Sequence, residues 1–246
     1  MAELVPYNVM EGERPEQVIT MEDGTNERVA IIIVHKDRPE YLNITLQSIA
    51  VTSLNSNFEV VIVDNASGQE SQDYLDSIEG EVKVIRNEKN VWWAKAANQG
   101  AKAADPGAKY LLFLHHDVVI TNPGWLDLLI GVANSRKSGL VGIEMSHYGV
   151  QDRKVDFIPE TCILFTAECF RACGGWNEEL PQVGAPFIMT YAAQIKGFNP
   201  QVVKNKILHH YGVFAMDYSD YERFSIAARA TIPGILRDLQ GMPRKK

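Results

Sequence analysis

Short apolar segments alternate with helical segments from Val29 onwards, and this order constrains the fold more than any other feature of the chain. Apolar runs bounded by turn residues predict strands, and the segments between them have helical character. The predicted order is a strand at Val29 to Val34, a helix opened by Pro39, a strand at Phe58 to Asp64, a helix near Gln69 to Ile78, a strand at Val82 to Arg86, a helix from Trp92 to Ala104 and a strand at Tyr110 to Leu114. Such alternation predicts an α/β fold with a mainly parallel sheet covered by helices.

The pattern changes after Trp125 and predicts a second, more mixed layer. The predicted elements there are a helix to Ala133, strands at Leu140 to Ile143 and Cys162 to Phe165, helices at Ala167 to Ala172 and around Phe187 to Ile195, a strand at Val202 to Leu208 and a helix from about Tyr221 to Leu239. We therefore expect a polar N-terminal extension over residues 1–27, one folded domain over 28–216, and a C-terminal helix with a basic tail over 217–246.

Composition limits the environment and the partners of the chain. With 246 residues and 46% hydrophobic side chains, one large α/β domain can bury a substantial core. A net charge of -7 argues against broad attraction to nucleic-acid backbones or anionic membranes. Three cysteines close together form no disulfide framework, and no apolar run is long enough to span a bilayer. We expect a soluble, cytoplasmic protein.

Polar side chains follow several predicted strands at the points where the strands end. In an open parallel sheet these carboxyl ends form the crevice in which ligands bind. A carboxylate and an imidazole brought together there can share a divalent cation, and such a cation can neutralise a diphosphate leaving group. The residues concerned are His35, Lys36 and Asp37 after the first strand, Asp64 after the second, His115, His116 and Asp117 after the fourth, and His209 and His210 after the last.

Five segments in order resemble the family 2 glycosyltransferases of the GT-A fold. They are the stretch from Val29 to Leu42, the strand from Glu59 to Ser67 that ends in Asp-Asn-Ala-Ser, and the stretches Asn90 to Gly100, Phe113 to Trp125 and Phe165 to Glu178. The resemblance covers roughly residues 28–212. It implies a GT-A, Rossmann-like sheet and a metal-dependent, inverting transfer of a sugar from a nucleoside-diphosphate sugar, most simply a UDP-sugar, to an acceptor hydroxyl.

The resemblance also implies a set of donor-binding residues. His35 to Asp37 would line the nucleotide pocket, Asp64 would accept a hydrogen bond from the base, and Lys95 and Asn98 would lie near the nucleotide-sugar. His115, His116 and Asp117 occupy the place of the family's Asp-x-Asp metal motif, so Asp117 is the expected metal ligand and His115 would contact the ribose or the metal. Either His209 or His210 would complete the site. Mn²⁺ or Mg²⁺ is the expected ion, and imidazole ligands favour Mn²⁺.

The acceptor side departs from the family pattern. The Gly174 to Glu178 turn resembles the family's Gly-Gly-Phe-Asp-Glu, in which Trp176 would stack on an acceptor or pack in the core. Ala185 and Pro186 stand where inverting members carry a Glu-Asp pair that supplies the general base. Glu178 is then the candidate base, with Glu179 and Asp156 as other nearby carboxylates. The alternative is a transfer that retains the configuration of the sugar and needs no such base.

Three other functions remain open. A catalytically silent nucleotide-sugar-binding domain would explain the missing base. A sugar nucleotidyltransferase normally needs a Gly-rich phosphate loop after the first strand, and a dinucleotide enzyme needs Gly-x-Gly-x-x-Gly; neither motif is present. The acceptor could be a saccharide, a small molecule, a protein or a modified nucleic-acid base.

Overall fold

The structure is a computed structural model that describes residues 27–54, 56–135, 138–150, 153–203, 206–212 and 218–241. The predicted N-terminal extension lies outside the described residues except for its last residue, and so does the basic tail from residue 242 onwards. The division of the chain at residues 28 and 216 therefore stays a prediction.

A seven-stranded sheet forms the centre of the fold, and most of its neighbouring strands are parallel. Its strand order is β10-β6-β9-β4-β1-β2-β3. The strands are β1 Val29–His35, β2 Phe58–Asp64, β3 Val82–Arg86, β4 Tyr110–His115, β6 Leu140–Gly142, β9 Cys162–Thr166 and β10 Gln201–Val202. The strands β3, β2, β1 and β4 pair in parallel, as the alternation of strands and helices predicts, so the predicted α/β fold class is confirmed.

Seven helices among the described residues connect or flank these strands. They are α1 Pro39–Thr52, α2 Gln69–Asp76, α3 Trp93–Ala103, α4 Trp125–Ser135, α5 Ala167–Cys173, α6 Ala185–Ile195 and α7 Tyr218–Leu239. In the described part of the chain, no helix combines the length and the apolar character that crossing a bilayer requires.

Strand β9 runs opposite to its neighbours β4 and β6 and makes this half of the sheet mixed. Leu114 near the end of β4 pairs with Cys162 at the start of β9, and Gly142 at the end of β6 pairs with Ile163. The beginning of β9 therefore lies at the same edge of the sheet as the ends of β4 and β6.

Apolar side chains cover both faces of the sheet and form two core layers. Along β1, Ala30 and Ile32 face one layer while Ile31 and Ile33 face the other, as the two-residue period of a strand requires. Helix α3 approaches the first layer closely at Gly100, where an added Cβ would lie 2.5 Å from Cγ2 of Ile32. The sheet is thus a rigid base for the loops at its edge.

One predicted strand is wrong, and three strands were missed. The predicted strand at Val202 to Leu208 is two short strands, β10 and β11 Leu208–His210, in different sheets. Strand β11 pairs with the missed β5 Val118–Ile120, and the missed strands β7 Ser146–Val150 and β8 Arg153–Phe157 form a hairpin. Strands of two or three residues, such as β5, β10 and β11, show too little alternation to be recognised from sequence.

Candidate functional site

The carboxyl ends of the parallel strands meet at one edge of the sheet, which we call the site edge. His35 at the end of β1 pairs with Asp64 at the end of β2, and Val34 pairs with His115 at the end of β4. The structure therefore places the polar residues that follow three predicted strands along a single line, where a ligand can contact several of them.

His115, Asp117 and His210 form a cluster at the site edge. Nε2 of His210 lies 3.2 Å from Oδ1 of Asp117 and 3.2 Å from Nδ1 of His115, while Nδ1 of His115 lies 3.8 Å from the same carboxylate oxygen. Asp117 is buried, and the two imidazoles remain partly exposed at 27% and 33%. The cluster is thus open to solvent on its histidine side.

The two histidines of the cluster differ in their affinity for protons. Burial lowers the pKa of His115 from its ordinary 6.5 to about 4, although the Asp117 carboxylate opposes this effect. The hydrogen bond to Asp117 raises the pKa of His210, and the charges of Glu144 and Glu160 act in the same direction. His115 therefore holds a proton less readily than His210, so it offers its lone pair to a cation more readily.

The donor set of this cluster fits a divalent cation. One ligand atom from each residue lies within 4.8 Å of the other two. Two ligands that each lie about 2.1 Å from an ion are themselves about 3 to 3.5 Å apart, close to the separations observed here. Two imidazoles and one carboxylate are better suited to Mn²⁺ than to Mg²⁺.

His209 points away from the cluster, although sequence reasoning could not choose between it and His210. Adjacent residues of a strand face opposite sides, and the ring of His209 packs against Tyr211 with 5.0 Å between ring centroids. Of the two predicted ligands, only His210 joins Asp117.

His35 and His116 lie beneath the site edge. Nδ1 of His35 is 3.0 Å from Nδ1 of His116, and Nε2 of His35 is 3.2 Å from Oγ of Ser71. His35 is fully buried and His116 is 7% exposed. Burial lowers the pKa of both imidazoles to about 4, so the pair is neutral at neutral pH. We expected both histidines to contact the nucleotide-sugar, but their burial gives them a supporting position instead.

The loops that follow β1 and β2 are linked by hydrogen bonds, and we call this arrangement the loop clasp. Nζ of Lys36 donates to the carbonyl oxygen of Ala66 at 3.0 Å, the backbone N–H of Asp37 donates to Oγ of Ser67 at 2.8 Å, and Gly68 N–H donates to Oδ1 of Asp37 at 2.8 Å. Partial burial tends to raise the pKa of Asp37, but the Gly68 hydrogen bond and Lys36 hold it below its ordinary value. Asp37 therefore carries a partly exposed negative charge at the site edge.

Asp64 lies at the end of β2, but its carboxylate faces inward. It is fully buried, and it accepts hydrogen bonds from Nε2 of Gln72 at 2.5 Å and from Ser67 N–H at 3.3 Å. Both oxygens of this carboxylate are thus engaged by protein groups. The expected hydrogen bond from a base to Asp64 is therefore not supported, because both carboxylate oxygens already accept hydrogen bonds from the loop after β2 and from α2.

Asn65 follows β2 and lies at the site edge; the sequence marks it as a polar strand-end residue but assigns it no role. Its Nδ2 donates to Oδ1 of Asn90 at 2.8 Å, and its Oδ1 accepts from Val91 N–H at 2.9 Å. Asn90 in turn accepts from the N–H of Trp92, a residue with a φ of 66°. The Asn65 side chain therefore links the end of β2 to the loop before α3.

Asn98 and Glu178 meet at the Gly-Gly turn and not at the cation cluster. Asn98 donates from Nδ2 to the Trp176 carbonyl oxygen at 2.9 Å and to Oε1 of Glu178 at 3.0 Å, and its Oδ1 accepts from Trp176 N–H at 2.9 Å. Asn98 lies more than one turn into α3 from the site edge. This position ties the Glu178 carboxylate to a structural turn. Lys95 is exposed on the first turn of the same helix.

Trp176 is part of the hydrophobic core. It is 2% exposed, and its ring packs edge-to-face against Trp93, Phe113 and Phe165 at centroid distances of 4.7 to 5.5 Å. The alternative in which Trp176 stacks on an acceptor is not supported, because core packing removes its faces from solvent.

Ala185 and Pro186 open helix α6 and are both buried. Helix α7 covers this end of α6: a Cβ added at Gly184 would lie 2.9 Å from Cδ1 of Ile232 and 3.4 Å from Cβ of Ala228. A Glu-Asp pair at these positions would place charges in an apolar contact. The apolar residues at these two positions thus suit the buried start of α6.

The family model for glycosyl transferase family 2 matches residues 30–191, which is more than half of the chain. The protein therefore belongs to glycosyl transferase family 2, and its sheet and flanking helices have the GT-A fold, as the resemblance implied.

Curated relatives match only parts of longer proteins. The O-antigen biosynthesis protein RfbC of Myxococcus xanthus is 22% identical over 223 residues, which cover 74% of this chain and 17% of that protein. The uncharacterized protein y4gI of Sinorhizobium fredii is 30% identical over 121 residues, which cover 48% of this chain and 13% of that protein. This chain thus spans less than a fifth of the length of either relative.

Solved structures share the fold at low sequence identity. The mannosyltransferase PcManGT from Pyrobaculum calidifontis, in complex with GDP-Man and Mn²⁺, has a TM-score of 0.65 and 14% identity, with 98% of this chain and 69% of that chain covered. TarS 1-349 from S. aureus in complex with UDP has a TM-score of 0.57 and 20% identity, with 87% of this chain and 70% of that chain covered. At these identities the likeness shows the fold alone.

Proposed function

We propose that this protein transfers a sugar from a nucleoside-diphosphate sugar to an acceptor hydroxyl with the help of a divalent cation. The observation that carries the proposal is the His115, Asp117 and His210 cluster at the carboxyl edge of a GT-A sheet. Family membership supplies the reaction class, and the cluster supplies the cation ligands that a diphosphate leaving group requires.

The donor would lie along the site edge with its diphosphate at the cluster and its nucleoside at the loop clasp. The clasp offers the ionised, partly exposed Asp37 and backbone groups of the loop that contains Ala66. A UDP-sugar is our first choice, because TarS 1-349 was solved with UDP. A GDP-sugar is the second, because PcManGT was solved with GDP-Man and Mn²⁺.

The residues of the chain would act on the donor through charge and position. His115, Asp117 and His210 would hold Mn²⁺ or Mg²⁺, which when bound supplies positive charge to neutralise the departing diphosphate. Lys95 is exposed at the start of α3 and would add a second positive charge on the donor side. The buried His35 and His116 pair and the Asp64 to Gln72 hydrogen bond would keep the site edge rigid.

The experiment that tests this proposal is a donor screen with two readouts. UDP-glucose, UDP-N-acetylglucosamine, UDP-galactose and GDP-mannose are each titrated calorimetrically with Mn²⁺ and then with EDTA. The release of nucleoside diphosphate is measured in parallel. We expect at least one donor to bind in a Mn²⁺-dependent way and to be turned over, with water as the acceptor if none is added. If no donor binds with Mn²⁺ present, the proposal is wrong.

A catalytically silent binding domain is the second candidate, and the burial of Ala185 and Pro186 favours it. Such a domain would bind a nucleotide-sugar and Mn²⁺ without releasing nucleoside diphosphate. The same screen separates the two candidates, because binding without turnover across acceptor mixtures of saccharides, peptides, small alcohols and hydroxymethylated nucleobases would select the second one.

A further inference from the structure

Glu160 lies in the turn before β9, and the antiparallel course of β9 brings this turn to the site edge. His115 N–H donates to the carbonyl oxygen of Thr161 at 3.0 Å. Glu160 therefore immediately precedes Thr161, the residue whose backbone is hydrogen-bonded to His115 of the cation cluster. A parallel β9 would have placed the same residue at the opposite edge of the sheet.

The turn that carries Glu160 is anchored to the core. Ile158, two residues earlier, is fully buried, and its N–H donates to Oγ1 of Thr190 on α6 at 3.2 Å. On the other side, Cys162 is fully buried in the sheet. A side chain between two such anchors keeps a defined position, which a catalytic group needs.

The electrostatic field at the cluster includes the Glu160 carboxyl group. Its charge contributes to the raised pKa of His210, together with the charges of Asp117 and of Glu144, which follows β6 at the same edge. Burial raises the pKa of Glu160 itself to about 7; Glu144 acts in the same direction, and His210 opposes it. Burial thus makes the Glu160 carboxylate a stronger proton acceptor than an exposed carboxylate.

Two of the other candidate positions for a base are occupied by structural contacts. Ala185 and Pro186 are apolar and lie at the end of α6 that α7 covers. The Glu178 carboxylate is bonded to Asn98 at the Gly-Gly turn. A carboxylate beside the cation cluster is the remaining requirement of an inverting transfer, and Glu160 meets it by position.

We infer that Glu160 is the general base that removes the proton of the acceptor hydroxyl, an inference that rests on the proposed function. As the acceptor oxygen forms its bond to C1 of the donor sugar, its proton passes to the Glu160 carboxylate. The bond between C1 and the β-phosphate oxygen breaks, and its electron pair leaves with the nucleoside diphosphate. The configuration at C1 inverts, and Glu160 returns its proton to solvent after the products leave.

Glu160→Gln tests the inference, because glutamine keeps the shape of the side chain and cannot accept the proton. Glu168→Gln is the matched control, since Glu168 is exposed just beyond the other end of β9. With the donor found in the screen, we expect Glu160→Gln to lower kcat at least about 100-fold. Calorimetric Kd values for Mn²⁺ and donor should stay within about threefold of wild type, and the control should match wild type throughout.

Two further variants keep the test independent of folding. Glu160→Asp should lose less of kcat than Glu160→Gln, because a carboxylate remains. Added formate should restore part of the turnover of Glu160→Ala, and only of that variant. Full turnover by Glu160→Gln overturns the inference, and so does a loss of Mn²⁺ binding in Glu160→Gln, since Glu160 would then be a cation ligand. If wild type itself binds no donor, the proposed function fails and the inference fails with it.

Discussion

Nε2 of His210 lies 3.2 Å from Oδ1 of Asp117 because two short strands pair side by side. Strand β11 runs antiparallel to β5, and His210 pairs with Val118, the residue that follows Asp117. Tyr211 N–H also donates to the carbonyl oxygen of Asp117 at 2.9 Å. His210, in the C-terminal part of the fold, thereby lies beside His115 and Asp117, which lie at the end of β4 and in the turn before β5.

Asp117→Asn should abolish most of the affinity for Mn²⁺. The amide keeps the shape of the side chain but removes the negative charge that a divalent cation requires. Loss of a direct ligand should raise the Kd at least about 100-fold, since even outer partners of ligands contribute 10- to 100-fold. Isothermal titration with Mn²⁺ measures it, and Asp127→Asn, an exposed aspartate on α4, is the control. An unchanged Kd would remove Asp117 from the site.

The same substitution should lower the pKa of His210 in the metal-free protein. The hydrogen bond and charge of Asp117 raise this pKa, whereas burial opposes the rise. With Asp117 neutralised, the opposing effect of burial gains weight, so the imidazole should lose its proton at a lower pH than in wild type. NMR titration of the His210 ring protons checks the direction, and a rise or no change would contradict it.

His210→Ala and His209→Ala should behave differently although the residues are neighbours. His210 lies in the cation cluster, while the ring of His209 packs against Tyr211. We expect His210→Ala to weaken Mn²⁺ binding at least about tenfold and His209→Ala to leave it unchanged. The pair forms its own matched control in a single calorimetric series. Equal losses in both variants would mean that the strand carries no specific ligand.

Sequence reasoning predicted the parallel half of the fold because that half consists of strands long enough to show their apolar pattern. Strand β2 has the predicted bounds of Phe58 to Asp64. The choice between His209 and His210 could not be made, since the face of a strand depends on its partner β5, which was itself too short to recognise. The place of Glu160 could not be predicted either. It depends on β9 being antiparallel to its neighbours, and the sequence pattern does not reveal the direction of a strand.

Burial was the other quantity that sequence could not supply. His35, Asp64 and His116 follow strands as site residues do, but all three are buried and bonded to protein groups. Whether a polar residue at a strand end faces a ligand or the interior depends on the loops that fold over it, here the loop clasp. Those contacts join segments far apart in the chain, which local patterns do not encode.

Ala185→Asp, which brings a carboxylate back to the region of the family's pair, should destabilise the protein instead of creating a base. Ala185 is fully buried at the end of α6 that α7 covers. An unpaired buried charge should lower the free energy of unfolding by about 3 kcal/mol or more. Urea denaturation measures the change, with Ala227→Asp on the exposed side of α7 as the control, expected within about 0.5 kcal/mol of wild type. A stable Ala185→Asp protein would show that α7 does not cover this position in solution.

The buried His35 and His116 pair should make the protein less stable as the pH falls from 7 to 5. Both pKa values are about 4 in the folded protein against an ordinary 6.5. Between these values the unfolded chain takes up protons that the folded protein does not, so stability is present above pH 6.5 and is lost towards pH 4. Each histidine should contribute up to about 2 kcal/mol of this loss between pH 7 and pH 5.

His35→Asn tests whether the buried pair causes this loss of stability at low pH, because it removes one imidazole of the pair. The variant should be less stable at pH 7, because hydrogen bonds to His116 and Ser71 are lost, yet between pH 7 and pH 5 it should lose less stability than wild type, by up to about 2 kcal/mol. Ser71→Ala is the control, since it removes a hydrogen bond and leaves both imidazoles in place, so its pH dependence should resemble that of wild type. If His35→Asn retains the full pH dependence in urea titrations, the acid sensitivity arises from other groups.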